Sequence, residues 1–238
     1  MKKILFVLLA FAFAFTSMNA QEGKKALKQA SKNLGKYNQN PINNLDKLEE
    51  ALALLSTAFE SEEVTSDPES YNVKGKIYNE IANAEIRQML LDGSGILTTP
   101  NAGIEAYRAF STALQNATKK HHSKDALKGL AETEGHLNNI GITMFQNQKY
   151  AESFDNFNAG IAVSKLLKDG GMESRLDDEA TKNEHYFFTS AAGYYGEKYD
   201  EVLPVLESIK ETTDKPMVYE ALFNINLQKD DALAEEYL

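Results

Sequence analysis

The sequence predicts an all-α protein assembled from antiparallel helix hairpins, and three observations carry that expectation. Between Leu137 and Gly160, Leu137, Ile140, Gly141 and Met144 recur at three- and four-residue spacing. Gln146, Asn147 and Gln148 interrupt the pattern, and Ser153, Phe157 and Gly160 resume it, which describes two amphipathic helices joined by a tight turn. A second stripe, Leu45, Leu48, Leu52, Leu55 and Phe59, alternates the same spacings with Asp46, Lys47, Glu49 and Glu50 opposite. The third observation is that Ala106, Phe110 and Ala113 repeat the small, aromatic, small order of Ser153, Phe157 and Gly160.

Taken from the N-terminus, residues 1–20 have the parts of a secretory signal: Lys2 and Lys3, the apolar run Ile4 to Phe15, and Thr16 to Ala20 ending on a small residue. A membrane span needs about 20 apolar residues, so the run predicts export with cleavage near Ala20/Gln21 rather than an anchor. Residues 21–238 are then the mature chain, and removal of Lys2 and Lys3 takes the formal net charge from −10 to −12. Such a charge disfavours nucleic acid and anionic membrane surfaces as partners. The chain has no cysteine, which excludes disulfides, thiol chemistry and a lipid anchor on cysteine, so the fold must rest on packing.

In the mature chain, Ala26, Leu27, Ala30 and Leu34 predict a short helix over Lys24 to Tyr37, with turn residues at Asn38 to Pro41. After the Leu45 to Phe59 stripe, Asp67 and Pro68 form a helix-start signal, a capping side chain followed by a residue that loses no hydrogen bond in the first turn. The helix they open carries Tyr71, Gly75, Tyr78, Ala82 and Met89, and Val73, Ile77 and Ile81 give it a second face to bury. Asp92 to Gly103 is a loop ending in a helix entrance at Pro100. His121 to Ser123 reads as a connection ahead of the long helix of Leu127, Leu130, Leu137, Gly141 and Met144.

The helix after Gly160 continues through Ile161, Val163, Leu166 and Leu167 until Asp169, Gly170 and Gly171 stop it. Met172 to Lys182 is charged, with helix resuming from about Asp177. Tyr186 to Tyr195, YFFTSAAGYY, is the most aromatic stretch of the mature chain, and Tyr199, Val202, Leu203, Leu206 and Ile209 follow as a shorter helix. Pro204 in that helix is tolerable only in its first turn. Pro216 opens a helix through Val218, Ala221, Leu222 and Ile225, and Asp230 to Leu238 starts its partner.

Gly75, Tyr78, Ala106, Phe110 and Ala113, with Ile140, Gly141, Tyr150, Ser153, Phe157 and Gly160, resemble the tetratricopeptide repeat, a helix-turn-helix unit of about 34 residues. The resemblance implies a glycine where paired helices cross, a tyrosine closing the turn and a small, aromatic, small series on the second helix. It covers most of Asn44 to Leu238 and implies a right-handed superhelix of about five stacked hairpins, the last incomplete. Repeat lengths are irregular, because Gly75 and Gly141 lie roughly two repeat lengths apart with only one full hairpin between them.

A stacked array exposes a long surface lined by first helices, and the resemblance implies that this surface binds a peptide or protein segment. The residues placed there by helical position are Asn72, Lys76 and Asn79; Asn138, Ile142 and Phe145; Phe187, Tyr194 and Tyr195; and Tyr219 and Asn226. Each aromatic could equally pack against the next repeat. Tyr194 and Tyr195 differ from the rest because adjacent helical residues cannot share one buried direction. The expected role is a non-enzymatic scaffold or adaptor of the bacterial envelope, periplasmic or secreted, with no cofactor. The alternatives are a helical receptor for a small molecule or glycan, and an enzyme without a readable motif.

Catalytic and metal signatures are weak. His121 and His122 fall in the expected connection, and the helical His136 and His185 have no histidine one turn away. Glu134 lies on the otherwise apolar line Leu127, Leu130, Leu137, Gly141 and is expected to be a partly exposed acid at the hairpin edge. Burial without a partner would instead raise its pKa, as in acid-base catalysts.

Overall fold

A computed structural model describes residues 2–92 and 97–227, with side chains for 21–91 and 97–227. Among the described residues all regular secondary structure is helical: α1 Lys2–Gln39, α2 Leu45–Ala58, α3 Glu62–Thr65, α4 Pro68–Asp92, α5 Ala102–Gln115, α6 Lys120–Gln146, α7 Tyr150–Asp169, α8 Glu179–Tyr195, α9 Tyr199–Ile209 and α10 Pro216–Leu227, with a 3-10 turn at Arg175–Asp177. The helix expected over Lys24 to Tyr37 is thus the end of a longer one that runs through the Ala20/Gln21 position. The partner helix expected from Asp230 to Leu238 lies outside the described residues. Among those residues, no helix is long and apolar enough to cross a membrane.

Contacts divide the chain into two units, Met1–Ile81 with Arg108–Gly129, and Ala82–Tyr107 with Leu130–Leu238. In the first, α1 packs on α2 and α3, and Ala26, Ala58 and Val64 form a small core with Leu27, Leu54 and Phe59 against it. The buried stripe of α2 is Leu48, Ala51, Leu55 and Ala58. Leu45 is exposed and Leu52 half-buried, because at 3.6 residues per turn both fall to one side of the line through Leu48, Ala51, Leu55 and Ala58. The Asp67 side chain accepts the Glu69 N–H at 3.1 Å, capping α4 with Pro68 in its first turn.

Phe110 of α5 is fully buried between two glycines. A Cβ at Gly75 of α4 would come within 2.6 Å of its ring, and one at Gly129 of α6 within 2.2 Å. The Asn72 and Asn79 side-chain amides donate to the carbonyls of His122 and Gly129, at 3.2 and 3.1 Å. Both pairs are separated by the same number of residues and increase together along the chain, so these stretches of α4 and α6 run parallel with α5 between them. An interval of seven residues is two helical turns, which keeps both amides on one face.

The second unit holds the opening motif of the sequence. Phe157 of α7 lies against Gly141 of α6, where a Cβ would meet the ring at 2.8 Å, and the Ser153 hydroxyl donates to the Gly141 carbonyl at 2.8 Å. Gly160 has a different role from flanking Phe157: a Cβ there would meet the His185 ring of α8 at 3.0 Å, so it admits the next helix. α8 packs on α7 and α9, and α10 packs on α8 and α9.

Two turns repeat in detail. Gln148 and Glu197 both have φ 58°, and the following N–H groups of Lys149 and Lys198 bond back to the carbonyls of Met144 and Gly193 at 2.9 Å. This is the six-to-one closure of a helix C-terminus, followed in each case by a tyrosine that opens the next helix, Tyr150 or Tyr199. Pro204 falls in the second turn of α9 rather than its first, where it supplies no N–H to the helix.

Candidate binding face

The second unit gathers its aromatic side chains into one connected series. Ring centroids are 5.7 Å apart for Phe187 and Phe188, 5.6 Å for Phe188 and Phe145, 5.2 Å for Phe145 and Tyr150, and 5.4 Å for Tyr150 and Tyr195. The series continues through Tyr194 at 5.6 Å to Tyr199 at 6.1 Å. Helix α8 supplies four of these rings, and the ends of α6, α7 and α9 supply the others. The inner edge of the band packs on the core of Phe154, Phe157, Leu206, Leu222 and Ile225, while Tyr195 is 51% exposed.

Beside Phe187 and Phe188 lies an open groove of about 490 Å³, lined also by Asn183, Glu184, Asp214 and Lys215. Lys215 Nζ stands 5.9 Å from the Phe187 ring centroid, within cation–π range. The groove is apolar at its base and charged at its rim.

The residues expected on a partner surface divide sharply. Ile142, Tyr195 and Tyr219 are exposed, and Phe145, Phe187 and Tyr194 are half-buried members of the band or its edge. Asn72, Asn79 and Asn226 are corrections: all three are buried. The first two bind α6 carbonyls as described, and Asn226 donates to the Leu222 carbonyl one turn back at 2.9 Å. A buried side-chain N–H must find such a partner, and here backbone carbonyls provide it for all three residues. Lys76 is exposed beside Asp125 at 3.7 Å, a surface pair of small energetic value. Asn138 is half-buried with Oδ1 3.4 Å from His185 Nδ1. The Tyr219 hydroxyl lies 2.6 Å from the Lys210 carbonyl, fastening the connection ahead of α10. Tyr194 and Tyr195 lie side by side but differ in surroundings: Tyr195 is exposed, whereas Tyr194 is half-buried and its oxygen accepts from Asn224 at 2.9 Å.

Glu134 is also a correction, since it is 3% exposed rather than an edge residue. Its carboxylate accepts the Ser174 hydroxyl at 2.5 Å and the Arg175 N–H at 2.9 Å, and Ser164 Oγ lies 2.7 Å from Ser174 Oγ. Ser174 in turn caps the 3-10 turn through the Leu176 N–H, at 3.0 Å. The carboxylate therefore anchors the connection between α7 and α8 to α6, with both oxygens occupied.

His185 is buried with Nε2 2.8 Å from the Phe157 carbonyl, so that nitrogen carries the proton and donates. Burial pushes its pKa below the ordinary value, against a smaller upward pull from that hydrogen bond, and burial also lowers His136. The unfolded chain therefore takes up protons first as pH falls. Stability contributed by the neutral rings is intact above about pH 6.5 and is lost as pH drops through that value towards the folded pKa. Urea midpoints should fall between about pH 7.5 and 5.5, and less steeply in His185→Gln. Equal slopes in both proteins would remove His185 as a source.

Among the described residues, Glu69, His121 and His122 converge as metal-ligating side chains. The two histidines are not in a connection, because α6 begins at Lys120 and places them in its first turn. Two residues that the sequence did not single out matter here: Gly129 meets the Phe110 ring in the way Gly75 does, and Phe188 joins Phe187 to Phe145 in the aromatic band. No family model, curated protein or solved structure matches the chain.

Proposed function

We propose that the chain is an exported scaffold or adaptor of the bacterial envelope, a tetratricopeptide-like right-handed superhelix that binds a peptide or protein segment and performs no catalysis. The aromatic band leading from Tyr195 to the groove at Phe187 carries this reading. Rigid rings offer large contact area at low entropic cost, and a charged rim around an apolar base is the anatomy of a protein interface. The repeat reading draws support from the Gly141 and Phe157 contact, the parallel α4 and α6 stretches in the first unit and the matching turns at Gln148 and Glu197. An open-sided groove suits an extended segment better than an enclosed small molecule. The satisfied Glu134 and the engaged His185 favour a non-catalytic role.

A photo-crosslinking residue in place of Thr213, at the groove, should capture a protein partner in envelope fractions, from a chain whose N-terminus is Gln21. Tyr195→Ala with Lys215→Ala should weaken that partner's binding by about 2 kcal/mol or more, as at interface hot spots, with far-UV circular dichroism unchanged. A partner bound equally by the double variant, or a chain that stays in the cytosol with Lys2 and Lys3 attached, overturns the proposal.

A further inference from the structure

We propose that Glu69, His121 and His122 form a binding site for a zinc-class divalent cation, at the start of α4 and α6 in the first unit. Their candidate ligand atoms, one from each residue, all lie within 4.8 Å of one another. The two imidazole rings stand edge to face with centroids 4.4 Å apart. Metal bonds of about 2.0–2.2 Å in a tetrahedral arrangement bring ligand atoms closer together than this, and a rotation of the exposed His121 supplies the closure.

The second observation is what this corner leaves unpaired. His122 is only 4% exposed, and its Nδ1 has no hydrogen-bond partner. Oε2 of Glu69 is likewise buried and unpartnered, as is Oδ1 of the fully buried Asn72, one turn further along α4. Buried polar atoms normally find partners, because leaving one unmade costs its full desolvation. A cation accepts lone pairs from imidazole nitrogen and carboxylate oxygen at once.

The donor set selects the ion. Two imidazoles and one carboxylate suit zinc and its transition-metal neighbours, whereas calcium and magnesium prefer all-oxygen shells. Three protein ligands leave a fourth position for water or an outside ligand. Asn72 acts as a positioning residue: its amide holds the His122 carbonyl at 3.2 Å, fixing the first turn of α6 against α4.

Co2+ titrated into the full chain should develop the visible d–d absorption of a four-coordinate ion, saturating at one equivalent and bleached by Zn2+. Calorimetric Zn2+ affinity should fall at least about tenfold in His121→Ala and in Glu69→Gln, and remain unchanged in His136→Ala. His121 is exposed and Glu69→Gln preserves shape, so circular dichroism should match the parent in both. Absence of Co2+ absorption, or Zn2+ affinity equal in the parent, His121→Ala and Glu69→Gln proteins, overturns the site.

Discussion

Phe157→Ala lowers the free energy of unfolding by about 3–5 kcal/mol, the range for truncating a buried aromatic. The ring is 1% exposed and belongs to three helices at once. It stands on α7, fills the space that Gly141 leaves on α6, and meets two rings of α8: His185 edge-on at 5.2 Å and Phe188 stacked at 6.1 Å. Local collapse cannot close the hole. Ser153 holds the Gly141 carbonyl, His185 holds the Phe157 carbonyl, and both bonds survive the substitution and keep the three helices at their present spacing. The cavity term therefore adds to the lost transfer energy instead of relaxing away. Denaturant unfolding of the parent and variant gives the difference directly, and a loss below about 1 kcal/mol would mean that this ring does not join the hairpin to α8.

The hairpin was legible because its signal is periodic and its contacts are local. Gly141, Ser153 and Phe157 announce a close crossing, since a missing side chain, a small hydroxyl and a large ring are complementary shapes. The adjacency of Tyr194 and Tyr195 likewise meant that both could not be buried alike: the rings touch, the Tyr194 hydroxyl is bonded to α10, and Tyr195 is left exposed. Polar residues were harder to place. Asn72 and Asn79 suggested a surface because amides favour water, yet their side-chain N–H groups donate to backbone carbonyls of α6 inside the fold. Their seven-residue spacing was the available clue. Glu134 looked like an edge residue because the segment that covers it, Met172 to Lys182, has no apolar rhythm; it is held by a serine hydroxyl and a backbone N–H. Ser and main-chain donors leave no periodic trace. The pair His121 and His122 lies in a polar run that resembles a connection, and only the helix start at Lys120 brings it against Glu69.

Gly141→Leu should cost about 1–3 kcal/mol by overpacking the same crossing from the other side. The cost is set by geometry already on the ring: even a methyl group at Gly141 would sit 2.8 Å from Cε1 of Phe157, closer than non-bonded carbons approach. The ring has little room to shift, because it is 1% exposed and also packs against Phe188 and His185. Combining the substitutions separates this contact from general damage. In Phe157→Ala the space beside residue 141 is empty, so the leucine that clashes in the parent can fill the cavity there. The double variant Gly141→Leu/Phe157→Ala should be less destabilised than the sum of its single variants by about 1–3 kcal/mol, a coupling found only between residues in contact. Additive losses would place the two residues out of contact and break the crossing on which the repeat reading depends. A double variant more stable than Phe157→Ala alone would show that the glycine serves the ring, and that either half of the pair can fill the space between α6 and α7.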